Sequence, residues 1–168
     1  MRLLRAGQRG APPLNCGVRR NLMRDKGPPL ILDCAVVLAY ALHGEAARYT
    51  GRGATYHAGR LVGPDIKRSA ICRNLGAPYD YLFFYCGDDW SVEAAVGHDT
   101  LEEARAYAAR MYAGIEDVMV QMSPSQADIE TALDAYWEGK RCSRCGKWPH
   151  EVERFEAKAD GLVCGGCA

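Results

Sequence analysis

Two short cysteine pairs near the end of the chain, Cys142-Ser143-Arg144-Cys145 and Cys164-Gly165-Gly166-Cys167, constrain this sequence more than any other feature. They hold four of its eight cysteines, with eighteen residues between Cys145 and Cys164. Two C-x-x-C pairs at such a separation suit a tetrahedral four-thiolate metal site, each pair wrapping one edge of the ion while the intervening segment turns the chain back. Gly146, directly after the first pair, offers the positive φ that such a turn needs, and Gly165 and Gly166 offer it inside the second. A segment of about thirty residues buries too little apolar surface to fold unaided, so one bound zinc, contributing roughly 10 to 16 kcal/mol, is expected to organise it. Four thiolates leave no coordination position open, which makes the expected zinc structural and assigns Cys142, Cys145, Cys164 and Cys167 as its ligands. A redox dithiol or a pair of disulfides is the competing reading, and two matched pairs without a secretory signal favour the metal.

These residues carry a resemblance. Cys142-Ser143-x-Cys145-Gly146-Lys147, then Glu151-Val152, then Val163 just before Cys164-x-x-Cys167, resemble the zinc-binding domain of ClpX, the unfoldase subunit of the Clp protease, over residues 141–168. The resemblance implies a treble-clef-like finger that dimerises and recognises substrate, unfolded or adaptor proteins. Two departures bound it. The family's second C-x-x-C opens a helix used in dimerisation, whereas this sequence stops at Ala168, which favours hetero-association over self-association. The family's ATPase engine is also missing, because no G-x-x-x-x-G-K-[ST] phosphate loop occurs in the sequence.

The remaining 140 or so residues supply ordinary globular material, and 21 basic residues cancel 21 acidic ones, which speaks against phosphate gripping as the main task. The most apolar run, Leu30 to Leu42, is too short to span a bilayer, and no apolar segment follows Arg2 and Arg5, so a cytoplasmic protein is expected.

Residues 1–28 carry seven basic residues, one acid and scattered Gly and Pro with no apolar period. They read as a disordered basic tail, with a nucleic-acid-binding arm or a true start at Met23 as alternatives. Residues 29–122 read as a small α+β domain with an antiparallel sheet and packed helices. Within it, Leu30 to Leu42 is assigned to a helix on its length and alanine content, with Asp33 as N-cap and Gly44 as C-cap. Residues 47–50, 55–57 and 60–62 read as short strands of a meander. Tyr81 to Cys86 is the clearest strand, turning at Gly87-Asp88-Asp89 into a return strand from Trp90 to Val96. Thr100-Leu101-Glu102-Glu103 is a capping box opening a helix with the stripe Leu101, Ala104, Ala108, Met111, Tyr112 and Ile115, stopped near Gly114. A connecting helix over 123–139 is expected to start with Ser123 as N-cap and Pro124 at its first position, and to end at Gly139 before a finger over 140–168.

Cys34, Cys72 and Cys86 with His43, His57 and His98 contain the ingredients of a nucleophile and base, but no spacing selects a pair, so no catalytic residue is assigned. His98-Asp99 is read as helix-entry polarity and Asp88-Asp89 as a turn former. Lys140, Arg141, Arg144 and Lys147 beside the first pair suit either phosphate contacts or compensation of a four-thiolate centre of charge about −2. Trp148-Pro149 reads as an exposed apolar pair, and Val152, Phe155, Leu162 and Val163 as more apolar surface than the finger's interior needs. The function expected is that of a non-enzymatic zinc-binding protein that contacts another protein or its own copy through the finger. A nucleic-acid-binding regulator is the alternative.

Overall fold

The computed structural model describes residues 27–76, 79–158 and 161–167; the basic tail lies outside them except for its last two positions. The architecture is mixed α+β, built on a curled six-stranded antiparallel sheet in the order β1-β2-β6-β7-β8, with β10 also pairing β2. Its strands are β1 (Ile31–Leu32), β2 (Ala35–Leu42), β6 (Arg68–Asn74), β7 (Tyr81–Cys86), β8 (Val92–His98) and β10 (Met119–Gln121).

The run from Leu30 to Leu42 is therefore a hairpin, not a helix. Leu32 pairs with Ala35 across Asp33 and Cys34, whose φ values of 41° and 59° make the mirror-image turn that matches strand twist. Asp33, expected as an N-cap, is the first residue of that turn, and Gly44 lies beyond the end of β2. The absence of apolar alternation in β2 has a physical cause: Ala35, Val36 and Val37 are all buried because both sheet faces are covered. A bulge between Val37 and Ala39 shifts the register there, so that Val36, Ala39 and Ala41 share one face.

On that face Ile71, Phe83 and Tyr85 pack against helix α1 (Leu101–Met111), which contributes Ala104, Ala108 and Met111. Thr100 caps α1 as expected, its hydroxyl accepting from the Glu103 amide at 3.1 Å while the Glu103 carboxylate accepts from the Thr100 amide at 3.3 Å. The helix ends at Met111, and Tyr112 passes into a short strand, β9 (Tyr112–Ala113), paired with β3 (Arg48–Tyr49). Gly114 opens the next short helix, α2 (Ile115–Val118), rather than stopping α1. It sits at φ 79°, with the Ala46 carbonyl oxygen 2.1 Å from where a Cβ would stand. The other face of the sheet buries Val37, Ala70, Cys72, Phe84 and Cys86 with Trp90 over them. Trp90 belongs to the turn, at φ 69°, so the return strand starts two residues later than expected. Asp89 is a turn former, accepting from both the Ser91 amide and the Ser91 hydroxyl.

Of the expected meander, β4 (Thr55–His57) and β5 (Arg60–Val62) form a hairpin, while β3 pairs elsewhere. Helix α3 (Gln126–Tyr136) starts two residues after the position expected. Its N-cap is Ser125, because Asp128 completes a reciprocal capping box with it. The Gln126 side-chain amide donates to the Glu130 carboxylate one turn on, at 3.1 Å. At its other end Gly139, at φ 71°, donates its amide to the Asp134 carbonyl at 2.8 Å and turns the chain towards the cysteines.

Candidate metal centre

The C-terminal unit is a knuckle, a hairpin and a second turn. In the knuckle the Cys142 amide donates to the Lys147 carbonyl and the Gly146 amide donates to the Cys142 carbonyl, both at 2.9 Å. Gly146 takes φ 73° there, as its position after the pair suggests, whereas neither Gly165 nor Gly166 is among the positive-φ glycines. A single 3-10 turn at Pro149–Glu151 leads to strand β11 (Phe155–Lys158), which pairs with β12 (Gly161–Cys164) so that Phe155 faces Cys164. The knuckle is tied to the hairpin by the Ser143 amide on the Leu162 carbonyl at 2.8 Å, and to the last turn by Arg144 on the Cys167 carbonyl.

This framework brings together all four cysteines singled out in the sequence. The Sγ atoms of Cys142, Cys145, Cys164 and Cys167 all lie within 4.8 Å of one another, and none of the four is in a disulfide. The Cys145 and Cys164 sulfurs are 3.6 Å apart. Zinc with thiolates at about 2.3 Å demands tetrahedral edges of roughly 3.8 Å, so four soft donors at these separations suit one such ion. Cys142 and Cys164 are buried while Cys145 is exposed.

The polypeptide also prepares a thiolate. The Cys164 amide donates to Cys142 Sγ at 3.4 Å and leads the influences that hold the Cys142 thiol down to about 6, while hydrogen bonds with Cys145 and Cys164 push Cys167 up to about 12. Protons and a metal compete for these sulfurs, so retention of the ion should weaken as pH falls.

The finger lies against the body. Trp148, expected to be exposed, is only 7% exposed and packs with Ile31, Val36, Ile129 and Leu133. Arg141 fastens the same seam. Its Nε and Nη2 each donate to the Asp134 carboxylate at 3.0 Å, and its guanidinium carbon lies 3.4 Å from the centre of the Trp148 ring. Val152 and Phe155 pack on the buried Val163 inside the finger. Among the apolar residues expected to be in excess, Leu162 alone has no place in either cluster. Lys140 pairs with Glu138.

The other ingredients of catalysis are scattered. Cys72 and Cys86 are buried on the covered face, where burial pushes both thiols up, Cys86 to about 12. Cys34 donates to the Tyr136 hydroxyl at 3.7 Å. His57 is exposed on β4, and His98 lies beside Tyr107. Sequence reasoning missed one polar pair: His43 Nε2 is 2.9 Å from the buried Ser69 hydroxyl, with Nδ1 3.2 Å from the Ile66 carbonyl. Burial, which disfavours the charged ring, lowers the His43 pKa to about 4, and a neutral ring donating from Nδ1 and accepting at Nε2 satisfies both neighbours. Ser69 lies on β6, a strand absent from the sequence reading, so nothing in the spacing linked it to His43.

Among the described residues no helix is long and apolar enough to cross a membrane. Compared with family models, with curated proteins and with solved structures, the chain matches none of them.

Proposed function

We propose that this chain is a non-enzymatic, cytoplasmic protein that contacts other proteins through a surface organised by one structural zinc. The observation that carries the reading is the set of four sulfurs within 4.8 Å of one another, a donor set that would fill the coordination sphere of zinc and leave no position for a substrate. The knuckle followed by a hairpin that returns to the second pair fits a treble-clef-like finger, and the motif resemblance to the ClpX zinc-binding domain supplies protein recognition as its use. A nucleic-acid role is less well supported. Arg141, Trp148 and Arg144, the residues best suited to phosphates and bases, are engaged with Asp134, the body and the Cys167 carbonyl.

Elemental analysis should find close to one zinc per chain, released on Cys142→Ser or Cys164→Ser. Binding to protein partners should require the zinc and respond weakly to salt. A salt-steep affinity for DNA or RNA, in place of any protein partner, would overturn the reading.

A further inference from the structure

The six-stranded sheet ends differently on its two sides. On one side β2 is covered by two short pieces, β1 of two residues and β10 of three, and Arg105 of α1 donates from Nη2 to the Gln121 side chain at 3.0 Å at the end of β10. Short, interrupted edges are one way in which antiparallel sheets avoid joining one another. On the other side β8 runs for seven residues and pairs only with β7. Among the described residues no backbone hydrogen bond outside that ladder reaches Val92 to His98, so the amides and carbonyls on the outer side of β8 are unpaired.

The sequence of β8 does little to blunt this edge. Val92-Glu93-Ala94-Ala95-Val96-Gly97-His98 holds no proline, lysine or arginine. Its one carboxylate turns back over the Gly87 turn, with a Glu93 oxygen 3.3 Å from where a Gly87 Cβ would stand. The register shift against β7 lies at the start of the strand and leaves Ala94 to His98 regular. The strand is also self-complementary. Laid antiparallel on a second copy of itself with Ala95 at the centre, it overlaps over its whole length, Ala94 meets Val96 of the other copy, and Glu93 falls opposite Gly97. Centred one residue further on, at Val96, Glu93 would instead oppose Asp99 of the other copy, a like-charge pair.

We propose that β8 is the contact surface of a symmetric dimer, in which β8 of one copy pairs antiparallel with β8 of a second about a two-fold axis at Ala95 and the two sheets become one. The second copy is the occupant because the strand matches its own reverse in side-chain size and keeps its like charges apart. The inference goes beyond the zinc-organised surface and does not depend on it, since no finger residue takes part.

Sedimentation velocity of the zinc-loaded full chain over a concentration series tests this, and a reversible monomer–dimer equilibrium is expected. Ala95 is exposed, so Ala95→Lys and Ala95→Glu should keep the native thermal transition. Each sets like charges opposite one another at the two-fold axis and should weaken dimerisation about fivefold or more, while an equimolar mixture of the two variants should restore a heterodimer. Val120→Lys, on the exposed residue of β10, should leave dimerisation unchanged, and so should a zinc chelator. A chain that stays monomeric throughout the series would overturn the proposal, as would a dimer that survives both Ala95 variants; either result leaves a finger-borne interaction with other proteins standing. A dimer lost on chelation would also overturn it, and would move self-association to the finger.

Discussion

The sheet domain and the finger solve the same problem with opposite means. The sheet buries whole aromatic side chains, with Phe83, Phe84, Tyr85 and Tyr112 all at 1% exposure or less. The finger buries Val163 and two of its own cysteines, with Val152 and Phe155 only partly covered beside them. Apolar burial at roughly 25 cal/mol per Å² explains the first and falls far short of ordering the second. Coordination of one metal ion by the four cysteines would supply the difference, and the seam through Trp148 packs the finger against Ile129 and Leu133 of α3.

Withdrawal of the metal should break this comparison most sharply. A strong chelator should remove roughly 10 to 16 kcal/mol from the finger alone. Trypsin should then cut at Arg144, Lys147 and Arg154 while the sheet keeps its thermal transition, and loss of both together would mean that the two regions share one core. Phe83→Ala should do the reverse. It should lower the stability of the sheet domain by about 3 to 5 kcal/mol in denaturant titration and leave zinc stoichiometry unchanged. Trp148→Ala tests the coupling itself: zinc should be retained, yet α3 should exchange its amides faster, since Ile129 and Leu133 lose their cover.

Acidification separates the regions by a smaller amount. His43 has its folded-state pKa depressed to about 4, below the unfolded value of about 6.5, so the unfolded chain binds the extra proton between these limits. Its contribution is therefore complete above pH of about 6.5 and is lost progressively towards pH 4, by up to about 3 kcal/mol. His43→Gln should flatten that part of the stability profile when metal is held constant. The smallest effect is local. Thr100→Ala should cost about 1 kcal/mol through loss of the α1 cap, with no change in metal binding.

The legible parts of the sequence were those in which one local rule acts alone. Four cysteines at matched spacing announce a metal site because few other arrangements use them so, and Thr100 with Glu103 announces a helix start because the box closes on itself. The aromatic strand Tyr81–Cys86 showed for the same reason. The misread parts are those in which tertiary cover overrides local pattern. The strand Ala35–Leu42 is covered on both faces and bulged at Leu38, so its apolar residues show neither a clean period of two nor a turn signal stronger than Asp33. Strand Arg68–Asn74 begins and ends in polar residues that hide its buried centre. Trp148 looked free because the sequence of the finger says nothing about the apolar strip on α3 that receives it.

X-ray absorption at the zinc edge of the purified full chain tests the central claim most directly. Four sulfur neighbours at about 2.3 Å, with no nitrogen or oxygen in the first shell, are the expected result, and they should fall to three with one light neighbour in Cys145→Ser. A shell containing nitrogen or oxygen in the native protein, or no zinc at all, would contradict a closed structural centre built from Cys142, Cys145, Cys164 and Cys167.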